Sequence, residues 1–187
     1  GYCFPCFRTL AECDLCVMRP ELCHFAAGTC RQESWGLKHC MQDHIVYLAF
    51  TSGAKVGLTK AVNIPSRWID QGAIEAFAFL KLETRYAAGL CEDILRESIH
   101  DRTNWRKMLS NVKNDSYNLK DLATELLSSH HQALDDCLKK AGQEGYQRLE
   151  SEVLKINYPV IQYPEKVRSL SFDKTKIISG TLLGIKG

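Results

Sequence analysis

Seven of the nine cysteines fall in the first forty residues: Cys3, Cys6, Cys13, Cys16, Cys23, Cys30 and Cys40. Four of them form two Cys-x-x-Cys pairs, Cys3 with Cys6 and Cys13 with Cys16. That spacing presents two thiolates to one ion from a tight turn. The run Cys13, Cys16, Cys23, Cys30 supplies four thiolates, enough for one tetrahedral Zn²⁺ site with Zn–S bonds of about 2.3 Å. Cys40 is the main alternate ligand, and His24, His39 and His44 are further candidates. Cys3 and Cys6 make half a site, to be completed by Cys40 with His39 or His44, or by residues upstream of Gly1. The expected role of the metal is structural, since a short loop-rich segment has little else to fold around. An iron–sulfur cluster is the competing use of a Cys₄ set. The paired spacing and the lack of a secretory signal pattern speak against disulfides. Cys91 and Cys137 stand alone in helical surroundings and read as small buried hydrophobes.

A second constellation lies further along. Ile45-Val46-Tyr47 is followed by Lys55-Val56-Gly57 in a hairpin pattern, Arg67 sits near the start of a helix, and Glu92 sits inside a later one. This order of β-hairpin, helix with arginine, strand, and helix with glutamate resembles the GIY-YIG nuclease superfamily. The resemblance implies that Tyr47 sits beside an attacking water, Arg67 steadies the phosphate and Glu92 holds one divalent ion such as Mg²⁺. The residue types suit those tasks: a phenol relays a proton, guanidinium grips phosphate bidentately, and a carboxylate binds Mg²⁺. Lys55 occupies the place of the second motif tyrosine, as in one branch of that superfamily, and Val46 replaces the first glycine. Each residue also has a plain structural reading: Tyr47 as a packed phenol, Arg67 as the partner of Glu75 or Asp70, Glu92 as a solvated helical carboxylate.

At the scale of the whole chain, GYCFPCFRTLAECDLC, CHFAAGTC, HIVYLAF, KVGLT, RWIDQGA and DRTNWRKML resemble an uncharacterised bacterial family known only as a domain of unknown function. The resemblance implies a longer protein. A further Cys-x-x-Cys pair upstream would complete a zinc ribbon with Cys3 and Cys6, and a small β-barrel-like tail would follow GTLLGIKG. By that resemblance the chain is a fragment.

The elements that must position these residues define an α+β protein in four parts. Residues 1–43 form the Cys-rich zinc-binding segment, read as irregular. Residues 44–109 form a small three-stranded antiparallel GIY-YIG-like α/β domain. Its strands are 44–50, 54–59 and 74–82, and its helices 66–71, 83–100 and 104–109. Residues 110–155 form a helical segment: a polar linker, one long helix from Leu119 to Ala141 capped by Asn118 and ended by Gly142, and a short helix from Glu144 to Leu154. Residues 156–187 read as the start of a truncated β domain.

The 187 residues carry a net charge of +2, with 45% hydrophobic and 25% charged residues. This is a globular balance, too weakly basic to announce a nucleic-acid binder by charge alone. No apolar run approaches the roughly 18–20 residues that span a bilayer, so a cytoplasmic protein without a membrane partner is expected. Arg67-Trp68 and the Arg102, Trp105, Arg106, Lys107 group pair guanidinium with indole, a combination that grips phosphate and stacks on bases. The leading expectation is a zinc-bearing nucleic-acid-binding protein, with RNA or the ribosome as the favoured partner. A metal-dependent phosphodiesterase using Tyr47, Arg67 and Glu92 is the first alternative. A protein-interaction adaptor docking through Leu119–Ala141 is the second. The oligomeric state is not legible.

Overall fold

A computed structural model describes residues 1–99, 104–114 and 118–187. Its centre is a hairpin. His44–Phe50 (β1) alternates side chains between two cores, and Ala54–Lys60 (β2) returns antiparallel to it. Glu75–Leu82 (β3) pairs with the other side of β1. The register of β1 against β3 shifts between Val46 and Tyr47. This bulge lets Phe79 and Leu80, neighbours in sequence, enter the same core.

On one face, Val46, Leu48 and Phe50 pack with Phe77, Phe79 and Leu80 against Arg85–Arg96 (α5) and residues of the later helices. On the other, Ile45, Tyr47 and Ala49 pack with Ala76, Ala78 and Trp68 of Ser66–Asp70 (α4). The period-two pattern of β1 explains both cores at once. β1 is therefore buried along its whole length.

The Cys-rich part is not irregular. It folds into Phe4–Thr9 (α1), Leu15–Met18 (α2) and Glu33–His39 (α3), with 3-10 turns at Ala11–Cys13 and Pro20–Leu22. Pro5 and Pro20 sit at first-turn positions, where a missing N–H costs nothing. These pieces are too short to show a hydrophobic period, and so they are silent in the sequence.

Trp105–Met108 (α6) is capped by Asn104. The long helix expected from Leu119 is two: Leu119–Ser129 (α7) and His131–Lys140 (α8). The break falls at His130, at φ −110° and ψ 12°. There Ser128 and Ser129 hydroxyls donate to the Glu125 carbonyl, and a His130 ring nitrogen meets the Leu126 carbonyl at 3.0 Å. Side chains competing for backbone partners favour such a break. The apolar faces of α7 and α8 (Leu126, Leu127, Leu134, Leu138) are buried in the main core beside Cys91 and Cys137.

The helix expected at 144–154 is absent. Gln147–Arg148 (β4) and Leu154–Lys155 (β5) pair instead with β3. The Leu149 amide donates to the Phe79 carbonyl and the Ile156 amide to the Ile74 carbonyl, at 2.9 and 2.8 Å. β3 would otherwise bury an edge with unpaired backbone groups, and that need outweighs the weak helical pattern. The sheet thus has five strands rather than three, in the order β2-β1-β3, with β4 and β5 both on the outer side of β3. Beyond residue 156 the expected strands reduce, among the described residues, to one bridge between Val160 and Gly184.

Candidate functional site

A cleft of about 270 Å³ opens along the free side of β2. Tyr47, Arg67 and Glu92 all line it, from β1, α4 and α5. Lys55, Gln71 and Arg85 line it too, and Val17, Met18 and Pro20 of the Cys-rich segment form one wall.

Tyr47 reaches the cleft because its partner across the hairpin is Gly57. A β-carbon there would stand 2.6 Å from the phenol oxygen, so only glycine lets the ring pass over β2. Trp68 backs the ring at 5.8 Å between centroids, and Gln71 donates to the phenol oxygen. Burial raises the Tyr47 pKa, while the Gln71 hydrogen bond and the Arg67 charge pull against that rise.

Arg67 is exposed and, among the described residues, in no ion pair; Glu75 is instead bound by Asn114 at 2.8 Å. Glu92 is half-buried, not solvated. Burial pushes its carboxyl up to about 7; Arg96 opposes the push, Glu21 and Asp93 reinforce it, and Arg85 opposes it again. A half-buried carboxyl of raised pKa in a cleft that Arg67 and Arg85 also line is a site that gains from a cation or from an anionic ligand bringing one.

The second feature is a small cavity in the Cys-rich segment, lined by Cys16, Cys23, Cys30 and Cys40 together with Asp14 and His24. Its free volume is about 10 Å³, the size of one water or ion. Gly36 of α3 admits the Phe25 ring, and a β-carbon there would also come within 3.2 Å of the Cys30 sulfur. Asp14, Cys16 and His24 offer donor atoms within 4.8 Å of one another, a possible metal-binding group. Asp14 is held by Arg31 at 2.6 Å and faces His24 at 3.4 Å, and the other ring nitrogen of His24 contacts Thr29 at 2.8 Å. Burial pushes the Cys16 thiol up to about 11, and Asp14, Cys23, Cys40 and Cys30 add to the push. A thiol raised in this way stays protonated near pH 7 and gives up its proton when a cation joins it.

Of the other expected ligands, Cys13, Cys3 and Cys6 lie outside that cavity's lining. Cys6 is half-buried and Cys3 exposed. Buried His44 contacts the Gln42 carbonyl at 2.8 Å, and His39 stacks on Trp35 and meets Lys60 at 3.0 Å. Of the expected nucleic-acid contacts, Trp68 is 4% exposed and therefore cannot stack on a base. Trp105 is 37% exposed with Arg106 over its ring at 4.5 Å, and Lys107 beside it is exposed. Arg102 lies outside the described residues. Arg85, Gln71 and the Val17–Pro20 wall went unnoticed in the sequence because nothing local marks them.

The family model described as Protein of unknown function (DUF2797) matches residues 1–187. The chain belongs to this family. No curated protein and no solved structure matches it. This DUF2797 chain holds no helix, among its described residues, long and apolar enough to cross a membrane.

Proposed function

We propose that this DUF2797 protein binds nucleic acid through the β2-side cleft and, with a divalent ion, hydrolyses one phosphodiester there in the manner of GIY-YIG nucleases. The convergence of Tyr47, Arg67 and Glu92 in one cleft carries the reading. Lys55 and Arg85 add positive charge to the same walls, which suits an anionic backbone. Arg67, exposed and outside any ion pair among the described residues, acts on Tyr47 by charge and hydrogen bond and would fork onto the phosphate oxygens. Glu92 is the carboxylate that would hold Mg²⁺, an ion that polarises a phosphoryl oxygen. Water would add to phosphorus as the bond to the leaving oxygen breaks. The Tyr47 oxygen, steadied by Gln71, would take the water's proton while its own phenolic proton passes to solvent in the cleft, and the leaving oxygen would be protonated from solvent. A structural Zn²⁺ in the Cys-rich segment fits its soft donor set, and nine unbridged thiols fit a reducing, cytoplasmic setting.

One observation favours the leading expectation from sequence, RNA or ribosome binding without cleavage: Tyr47 is only 1% exposed and its oxygen already engaged. A single experiment separates the two. Labelled RNA and DNA are incubated with the protein and Mg²⁺ or Mn²⁺, beside Glu92→Gln and Arg67→Ala. Cleavage lost by at least about 100-fold in both variants supports the hydrolase. Salt-sensitive RNA binding without cleavage leaves the binding reading. Absence of both at low salt removes the nucleic-acid reading altogether.

A further inference from the structure

The segment between Cys16 and Cys23 runs from one thiol of the small cavity to another. Pro20 of this loop is buried and Val17 half-buried, while Met18 is largely exposed. Val17, Met18 and Pro20 line the cleft that holds Tyr47, Arg67 and Glu92. Pro20 is buried against α5, where Gly89 leaves no room for a β-carbon: it would lie 2.5 Å from the Pro20 β-carbon and 2.8 Å from the Glu21 amide nitrogen. Arg85, at the first turn of α5, joins the two sites directly. Its backbone amide donates to the Cys40 carbonyl at 2.8 Å and its guanidinium donates to the Val17 carbonyl. The same side chain lines the cleft.

Four cysteines line the ion-sized cavity, and thiolates are the soft donors that Zn²⁺ prefers. Asp14 is engaged by Arg31, whose guanidinium also binds the Phe7 and Leu10 carbonyls at 3.0 and 3.2 Å. Asp14 and His24 come within 4.8 Å of Cys16; with Asp14 taken by Arg31, the two serve as support around the thiols in the ligand set inferred below. Cys13, one residue before Asp14, is not in the lining.

We infer that Cys16, Cys23, Cys30 and Cys40 hold one Zn²⁺, and that this ion clamps the Val17–Leu22 loop as a wall of the phosphodiester cleft. The ion fixes both ends of the loop through Cys16 and Cys23. Through Cys40 and Arg85 it fixes the start of the helix that carries Glu92. Metal occupancy then sets whether the Val17–Pro20 wall of the cleft is held in place. The second half of the inference rests on the phosphodiester reading of the cleft; the ligand set does not.

The test uses the full chain. Metal is counted by native mass spectrometry, and Co²⁺ replaces Zn²⁺ so that thiolate-to-metal charge-transfer absorption reports the ligands. Cys13→Ser is expected to keep the metal of this site. Cys16→Ser and Cys40→Ser are expected to lose one equivalent, and Cys23→His to retain it with a shifted Co²⁺ spectrum, which answers any failure of the serine variants to fold. Loss in Cys13→Ser with retention in Cys40→Ser would overturn the ligand set. Backbone hydrogen exchange is then compared before and after chelation. Protection is expected to fall at residues 17–22 and 85–92 while β1 and β3 stay protected, and affinity for a short labelled single-stranded RNA to drop at least about tenfold. Unchanged exchange at both segments would overturn the clamp. If exchange changes but RNA binds in neither state, the clamp holds and the phosphodiester reading falls.

Discussion

The Tyr47 phenol occupies the space that a β-carbon on Gly57 would need. The two residues face each other across the hairpin, and the approach would be 2.6 Å to both the phenol oxygen and the ring carbon bearing it. Trp68 behind the ring and Gln71 at its tip leave it little room to move. Gly57→Ala is therefore expected to cost about 1–3 kcal/mol despite the small gain of replacing glycine in a strand. Denaturant unfolding checks the value. The double variant with Tyr47→Leu should recover part of the loss, and strict additivity would show that the contact is not the cause.

Glu92 sets a pH dependence of stability. Its folded pKa, about 7, lies above the usual carboxylate range. The contribution to stability is therefore complete below the unfolded value and is lost as pH rises through about 7. Glu92→Gln should stabilise the metal-free protein by about 1–3 kcal/mol near pH 8 and change it little near pH 4. Equal effects at both pH values would mean that Glu92 is not held in this environment.

His44 has the opposite sign. It is fully buried, and burial lowers its pKa to about 4; the Gln42 carbonyl opposes that shift, while Arg85 and Lys60 add to it. Neutral His44 contributes stability that is present above the unfolded value and is lost as pH falls through about 4. His44→Asn should flatten the acid limb of a stability–pH curve by about 2–3 kcal/mol between pH 6.5 and 4. An unchanged acid limb would assign the acid sensitivity elsewhere.

Gly89 tests the joint between the Cys-rich segment and α5. Alanine would add about 1 kcal/mol of helix propensity, but its β-carbon would meet backbone at 2.8 Å, which does not yield easily. The clash should win, giving net destabilisation of about 1–2 kcal/mol. Limited proteolysis should cut first within 17–22. A stabilised Gly89→Ala protein would mean that the segment docks elsewhere.

The parts of this molecule that were legible are those with a local signature. β-branched and aromatic runs bounded by Gly53 and Pro65 marked the hairpin and α4 closely. Asn118 announced the start of α7, and Gly142, at φ +70°, the end of α8. Tyr47, Arg67 and Glu92 were legible as a set because a resemblance ordered them along the chain. Spacing alone could not say which thiols share a cavity: Cys13 and Cys40 are both within reach, and only the packing of α3 and the turn before β1 brings Cys40 in. Arg85 looked like an ordinary first-turn residue, since its partners Val17 and Cys40 lie far away in sequence. The SSHH run was read through as helix because its side-chain hydrogen bonds to the backbone leave no trace in hydrophobic periodicity.

The two-residue strands β4 and β5 close one flank of the sheet, with Ser151 between them donating to the Ala78 carbonyl at 2.6 Å. Without that seal, β3 would present a row of bare amides and carbonyls next to Phe77 and Phe79, a template for the strand of another molecule. The peptide from Gly145 to Ile156 thus works as a guard against self-association. A proteolytic nick or a proline within it would be expected to leave the cleft intact while turning a dispersed protein into one that precipitates.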